Sequence, residues 1–220
     1  MTNPFSDPRA EYHRQFAHPH TTTGAARSWS HPASMADDLD VWERKLEQKD
    51  ALAAIGGALI IVQMAERMIK FCMGFVLPQD GSLTLETLES FKADEARGTL
   101  GYFLGQLRQR VEIDAAFDDR LREFLALRNR LAHNLSEVPG LGFDHPDEIV
   151  LTVDWAGKLS GLALHVHNVF MGLARAWQEQ IGMRDDFADN DFFQEIDAKF
   201  KPLVDQVFVA KPSGTKPRRT

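Results

Sequence analysis

Apolar residues recur every three to four positions along most of this chain, and proline, glycine or acidic clusters interrupt the rhythm at intervals. The pattern predicts a first long helix over 37–77. Ser34 offers an N-cap region, acidic Asp37, Asp38 and Asp40 follow it, and Pro78 stops the helix. In its second half Ile60, Ile61, Met64, Met68, Phe71, Cys72 and Phe75 surround a polar arc of Gln63, Glu66, Arg67 and Lys70. A helix so apolar around its circumference belongs at the centre of a bundle. Gly56 and Gly57 would kink it or admit a close helix crossing. The polar arc has two readings. It is plain surface with a Glu66–Lys70 pair one turn apart, or it faces a cleft and supplies a counter-charge to Arg128.

Pro78-Gln79-Asp80-Gly81-Ser82 reads as a turn, and 83–96 as a short helix or loop-helix with Leu85, Leu88 and Phe91 helically spaced. A helix over 99–109 places Leu100, Phe103, Leu104 and Leu107 inward. A link at 111–115 leads to a helix over 117–135, which Pro139-Gly140-Leu141-Gly142 ends. The segment 143–155 is read as loop, because its β-branched run Ile149–Val153 has no second strand to pair with. A helix over 155–183 carries an apolar face of Leu159, Leu162, Leu164, Val166, Phe170, Leu173, Ala174 and Trp177. An acidic turn at 185–191 and a last helix at 190–207 follow. The expected fold is all-α, a bundle of about five helices over 37–207, between flexible tails at 1–36 and 208–220.

Within that frame the stretch 121–135, LREFLALRNRLAHNL, stands out. At about 100° per residue, Leu121, Phe124, Leu125, Leu131, Ala132 and Leu135 form one apolar stripe, and Arg128 falls inside it. An unpaired arginine in a packed core costs several kcal/mol. Arg128 must therefore reach an acidic partner, a wet cleft or a bound anion. A buried ion pair, or an arginine stem lying along the stripe's edge, remains as open as a functional role. Asn129 and His133 share a neighbouring face, four residues apart.

Composition narrows the classes. A net charge of −7 over 220 residues argues against an extended, sequence-independent nucleic-acid coat, but not against a site of a few residues. The single cysteine, Cys72, excludes an internal disulfide and a cysteine-rich metal centre, and its apolar setting predicts a buried thiol. His13, His18, His20 and His31 lie in the N-terminal tail without acidic or cysteine partners at ligand spacing, so no metal is expected. No Walker loop, Rossmann fingerprint, HExxH or nucleophile elbow occurs, and no cofactor is expected. No secretory signal is read. The most apolar stretch, Ala51–Val62, is too short and too closely followed by charge to span a membrane, so a cytoplasmic protein is expected.

The motif Arg128-Asn129, with His133 after three further residues, late in an amphipathic helix of an all-helical chain, resembles the signature of HEPN domains. Thr99-Leu100-Gly101 and Ala126-Leu127-Arg128-Asn129-Arg130-Leu131-Ala132-His133-Asn134 fit as well, and the resemblance spans roughly 39–177. It implies a homodimer with facing motif helices and a composite cleft. It also implies a metal-independent endoribonuclease in toxin–antitoxin, phage-defence or RNA-processing systems, with an antitoxin or regulatory protein as a further partner. His133 would then be the general acid/base and Arg128 would bind the scissile phosphate. Asn129 would orient one or the other. Arg130, Arg122, Glu66 and Lys70 are the candidate substrate-side residues. The alternatives are a non-catalytic scaffold of the same architecture, binding RNA, nucleotide or a regulatory partner, and a helical transcriptional regulator or adaptor with accidental motif residues. The absence of a basic recognition helix argues against direct DNA reading.

Overall fold

The computed structural model describes residues 33–77, 98–143, 145–183 and 189–211. The N-terminal histidines, the helix expected at 83–96 and the basic end beyond Lys211 lie outside them. Two compact units divide after Asp40. The first, 1–40, falls almost wholly outside the described residues, and the second, 41–220, holds the described core.

Helix α1 spans Ala33–Phe71 and runs into a π-helical turn, Cys72–Val76. Arg110 closes that end: its Nη1 donates to the carbonyls of Met73, at 2.8 Å, and Leu77. Arginine N–H groups thus satisfy carbonyls that a helix C-terminus leaves without partners. Helix α2, Leu100–Arg110, is capped by Thr99, whose Oγ1 accepts from the Tyr102 N–H at 3.3 Å. Leu100, Phe103, Leu104 and Leu107 are all buried, as their spacing requires. Strand β1, Val111–Ile113, leads to Asp114, which caps helix α3, Ala115–His133, by accepting from the Phe117 N–H at 3.1 Å. After a 3-10 turn at Leu135–Glu137 come helix α4, Pro146–Gln180, and helix α5, Asp191–Lys199. A second 3-10 turn, Lys201–Leu203, a single turn α6, Val204–Val207, and strand β2, Phe208–Ala210, complete the order. Among the described residues five helices have nine residues or more, and the fold is all-α. Phe124, Phe170, Leu121, Leu159 and Ile69 are among its fully buried side chains.

Several details differ from the sequence pattern. Residues 146–155, expected as loop, are helix. α4 starts at Pro146, a residue suited to a first helical position because its missing N–H is not needed there. Glu148 accepts from the His145 N–H at 3.3 Å. Ile149 and Thr152 then fall on the same buried face as Ala156 and Leu159, so packing overrides the β-branched run. Leu164, expected on that face, is exposed.

The last helix is broken near Pro202, which cannot supply the N–H an uninterrupted helix needs. Beyond it Phe208–Ala210 pair antiparallel with Val111–Ile113, and Phe208 packs its ring on Phe117 and Phe170. Gly56 and Gly57 make no close crossing; a Cβ at either would meet nothing within 4 Å.

Finally, α1 is not central. Ala51, Ala58, Val62, Ala65 and Ile69 are buried on one face, while Leu52, Leu59, Ile60 and Met64 are exposed on the other, Leu52 by 56% and Ile60 by 62%. By length and composition alone, Asp40–Val76 and α4 are each apolar enough to cross a membrane, contrary to the reading from Ala51–Val62. Only 22% of the most apolar window in Asp40–Val76 is buried.

Candidate functional site

Helix α3 presents Phe117, Leu121, Phe124, Leu127 and Leu131 to the core. This face is turned from the expected stripe. Leu127 belongs to it, Leu125 is half-buried, Ala132 is exposed, and Leu135 lies beyond the helix in the 3-10 turn, also exposed. Arg128 sits roughly 40° from the centre of the buried face at 100° per residue, angularly between Phe117 and Leu121 but near the C-terminal end of the helix, where its side chain is 19% exposed. That partial exposure explains how the helix tolerates it. The aliphatic stem lies along apolar surface while the guanidinium reaches groups at the rim.

Those groups come from two helices. Arg128 Nε donates to Glu66 Oε1 on α1, in an ion pair whose side chains are 19% and 17% exposed. Arg128 Nη1 lies 3.1 Å from Asn129 Oδ1 and 3.2 Å from His133 Nε2. A guanidinium only donates, so His133 Nε2 is the acceptor and carries a lone pair in this arrangement. Arg128 Nη2 donates to none of the described residues. Beside the cluster lies an open hollow of about 180 Å³, lined by Leu59, Val62, Gln63 and Glu66 of α1 and by Arg128, Leu131 and Ala132 of α3. The cleft-facing reading of the polar arc is the one realised for Glu66, and Glu66 and Lys70 do not pair.

The structure thus brings Arg128, Asn129, His133 and Glu66 together. It does not bring in the remaining candidates. Lys70 Nζ sits 5.5 Å from the centroid of the Phe103 ring, a cation–π contact with α2. Arg122 is held by Asp118 at 2.5 Å and Asp119 at 2.8 Å, more than a helical turn before Arg128. Arg130 is exposed, with its Nε 3.9 Å from Glu137. Asp118 carries no signal in the sequence pattern, yet it is a buried carboxylate clamped by Arg108 of α2 and Arg122 of α3. Gln63, in sequence only one member of a polar arc, lines the hollow.

The other candidate chemistry is structural. Cys72 is buried, its thiol donates to the Phe170 carbonyl at 3.3 Å, and burial pushes its pKa far up, away from the reactive thiolate. His167 is buried, with Nδ1 3.1 Å from Asn168 Oδ1. His165 lies between the rings of Phe117 and Phe200, and its Nε2 accepts from Arg120 at 2.7 Å. Burial, and then the Arg120 charge, lower its pKa. Among the described residues no group of three or more His, Cys, Asp and Glu side chains is placed to hold a metal.

No family model matches this chain, and neither does any curated protein or solved structure. The HEPN resemblance therefore rests on the motif residues and their surroundings alone.

Proposed function

We propose that this chain is a HEPN-type endoribonuclease that cleaves RNA through attack of the substrate's own 2′-OH. One observation carries the reading. An arginine, an asparagine and a histidine converge within hydrogen-bond distance at a partly exposed rim, beside an open hollow. RNA brings its own nucleophile, so such an enzyme needs few groups. It needs a proton acceptor that works near neutral pH and a fixed cation for the charge that builds on the phosphate oxygens.

His133 Nε2, on which the substrate 2′-OH replaces the Arg128 Nη1 donor, takes the proton from that hydroxyl. The 2′ oxygen bonds to phosphorus as the bond to the 5′ oxygen breaks, and the leaving oxygen takes up a proton. The products are a 2′,3′-cyclic phosphate and a 5′-OH. Arg128, through its guanidinium fork, holds the phosphate. Asn129 accepts from Nη1 and so helps fix the arginine.

The uncovered apolar face of α1 supports a homodimer. Leu59 belongs both to that face and to the hollow, so a second copy seated there would lie next to the motif. The same histidine of that copy would supply the leaving-group proton. A toxin or phage-defence role, with an antitoxin or regulatory partner, follows from the resemblance.

A second reading is a non-catalytic scaffold, which the Glu66–Arg128 pair favours because Glu66 already neutralises the arginine. Cleavage of a mixed RNA pool in EDTA separates the two readings. Parent protein should cut it, and folded His133→Ala and Arg128→Ala variants should each lose at least about a hundredfold of the rate. A folded parent that leaves RNA intact would sink the nuclease reading and leave the scaffold.

A further inference from the structure

We propose that Glu66 is the positioning residue of the motif: it does not touch RNA, but it holds the Arg128 guanidinium in the orientation that phosphate binding requires. The proposal rests on the ribonuclease reading for its kinetic consequence and on geometry for the rest.

A guanidinium offers five N–H donors in one rigid plane. In this chain the donors divide by task. Nε–H goes to Glu66 Oε1. Nη1 serves Asn129 Oδ1 and His133 Nε2. Nη2 donates to none of the described residues, and Arg128 is one of the residues that line the hollow. The plane is thus pinned at its stem by a residue of α1 and at one amino group by residues of α3. The other amino group is left to meet an anion.

Asn129 and His133 alone cannot do this. Both contact the same nitrogen, Nη1, so without Glu66 the side chain can swing about that point. The long arginine stem has several rotatable bonds, and freezing them costs conformational entropy. Glu66 is suited to the task because it sits on another helix, 62 residues away in sequence, and is itself only 17% exposed. Desolvation strengthens its bond relative to a surface pair. Lys70, one turn further along α1, does not compete for the carboxylate, because it lies over Phe103.

A plain inter-helix staple would show the same contact, so the test separates the two roles. Glu66→Ala removes the acceptor. Glu66→Gln keeps an oxygen at the same reach, able to accept from Nε–H, but removes the charge. Full-length parent and both variants, matched for folded fraction, would be assayed for kcat and KM on an RNA substrate. In parallel, the Arg128 Nε–H signal would be followed in proton–nitrogen correlation spectra.

Positioning predicts that Glu66→Ala lowers kcat by at least about tenfold, the scale of losses from a misplaced group. It predicts that Glu66→Gln recovers most of the loss. It also predicts that the distinct, slowly exchanging Nε–H signal of the parent persists in Glu66→Gln and collapses to the free-arginine position in Glu66→Ala. A Glu66→Ala protein that is less stable but keeps the parental kcat would overturn the proposal in favour of a staple. Equal damage in both variants would overturn it in favour of an effect of charge. If the parent cuts no RNA, the ribonuclease reading falls, and the Nε–H signal alone decides whether Glu66 orients Arg128. An unchanged signal in Glu66→Ala overturns the proposal.

Discussion

At the scale of single residues, this protein gives several of its partly buried cations a carboxylate or a ring on another helix. Arg128 has Glu66, Arg175 has Asp197, Arg108 has Asp118, and Lys70 has the Phe103 ring. His165 differs from these, since its partner Arg120 is itself a cation. That contact works only with a neutral imidazole. Its folded pKa is lowered, so the unfolded chain binds the proton more readily than the native protein does. Stability from this group is present above the ordinary histidine pKa and is lost as pH falls below it. The denaturant midpoint should therefore drop between about pH 7.5 and about pH 5.5. His165→Gln, which cannot titrate, should show a smaller drop, and an equal drop would remove His165 as the cause. Legibility at this scale was uneven. Arg128, Asn129 and His133 could be placed together because helical spacing fixes i, i+1 and i+5. The choice of Glu66 over Lys70 as a cleft residue could not be read. It depends on how α1 and α3 rotate against each other, which no local pattern encodes.

At the scale of elements, the informative junction is the one between α3 and α4. The chain leaves α3 at His133, turns through Leu135–Glu137, and passes Gly140 before α4 begins. Thr152 in α4 donates its hydroxyl to the Pro139 carbonyl at 2.8 Å and so ties that turn down. Gly140 has φ +71°, and a Cβ there would stand 2.0 Å from the Glu148 carbonyl oxygen. Both the conformation and the space demand glycine. Gly140→Ala should cost at least about 2 kcal/mol in chemical denaturation, combining a positive φ with a backbone clash. A cost within about 0.5 kcal/mol, the range of an ordinary surface change, would show that this junction is not rigid. Sequence did mark Gly140 as part of a helix-ending stretch. It missed the start of α4 because Ile149–Val153 reads as an extended run when taken alone. The spacing Ile149, Thr152, Ala156, Leu159 was present, and a longer window would have found it.

At the scale of the whole molecule, all-α architecture was legible, while the arrangement of helices was not. An apolar circumference on α1 suggests a central helix, but a helix with a buried face and an exposed apolar face has the same sequence pattern. Only packing tells them apart. Ile60 and Leu52 stand more than half exposed on a helix whose opposite face is sealed. Contiguous exposed apolar surface of this kind marks an interaction site. The proposed homodimer would cover it. Parent protein should sediment as a dimer, and Ile60→Asp, which alters no buried residue, should sediment as a folded monomer. A monomeric parent would leave that face to another partner and remove the composite cleft.

The small β1–β2 ladder has a consequence for timing. It joins Val111 to Ala210, so its closure must bring together points about a hundred residues apart, whereas most helical bonds form within four. Asp114, which starts α3, also donates its N–H to Val207 at 2.9 Å, just before that ladder. The front of the motif helix is therefore anchored to one of the longest loop closures in the molecule, while its far end, bearing Arg128 and His133, is braced against α1 across the shorter span of 62 residues to Glu66. The two ends of one helix should therefore mature at different moments of folding. The rim that carries Arg128 and His133 can take shape while the base of the helix is still waiting for its strand.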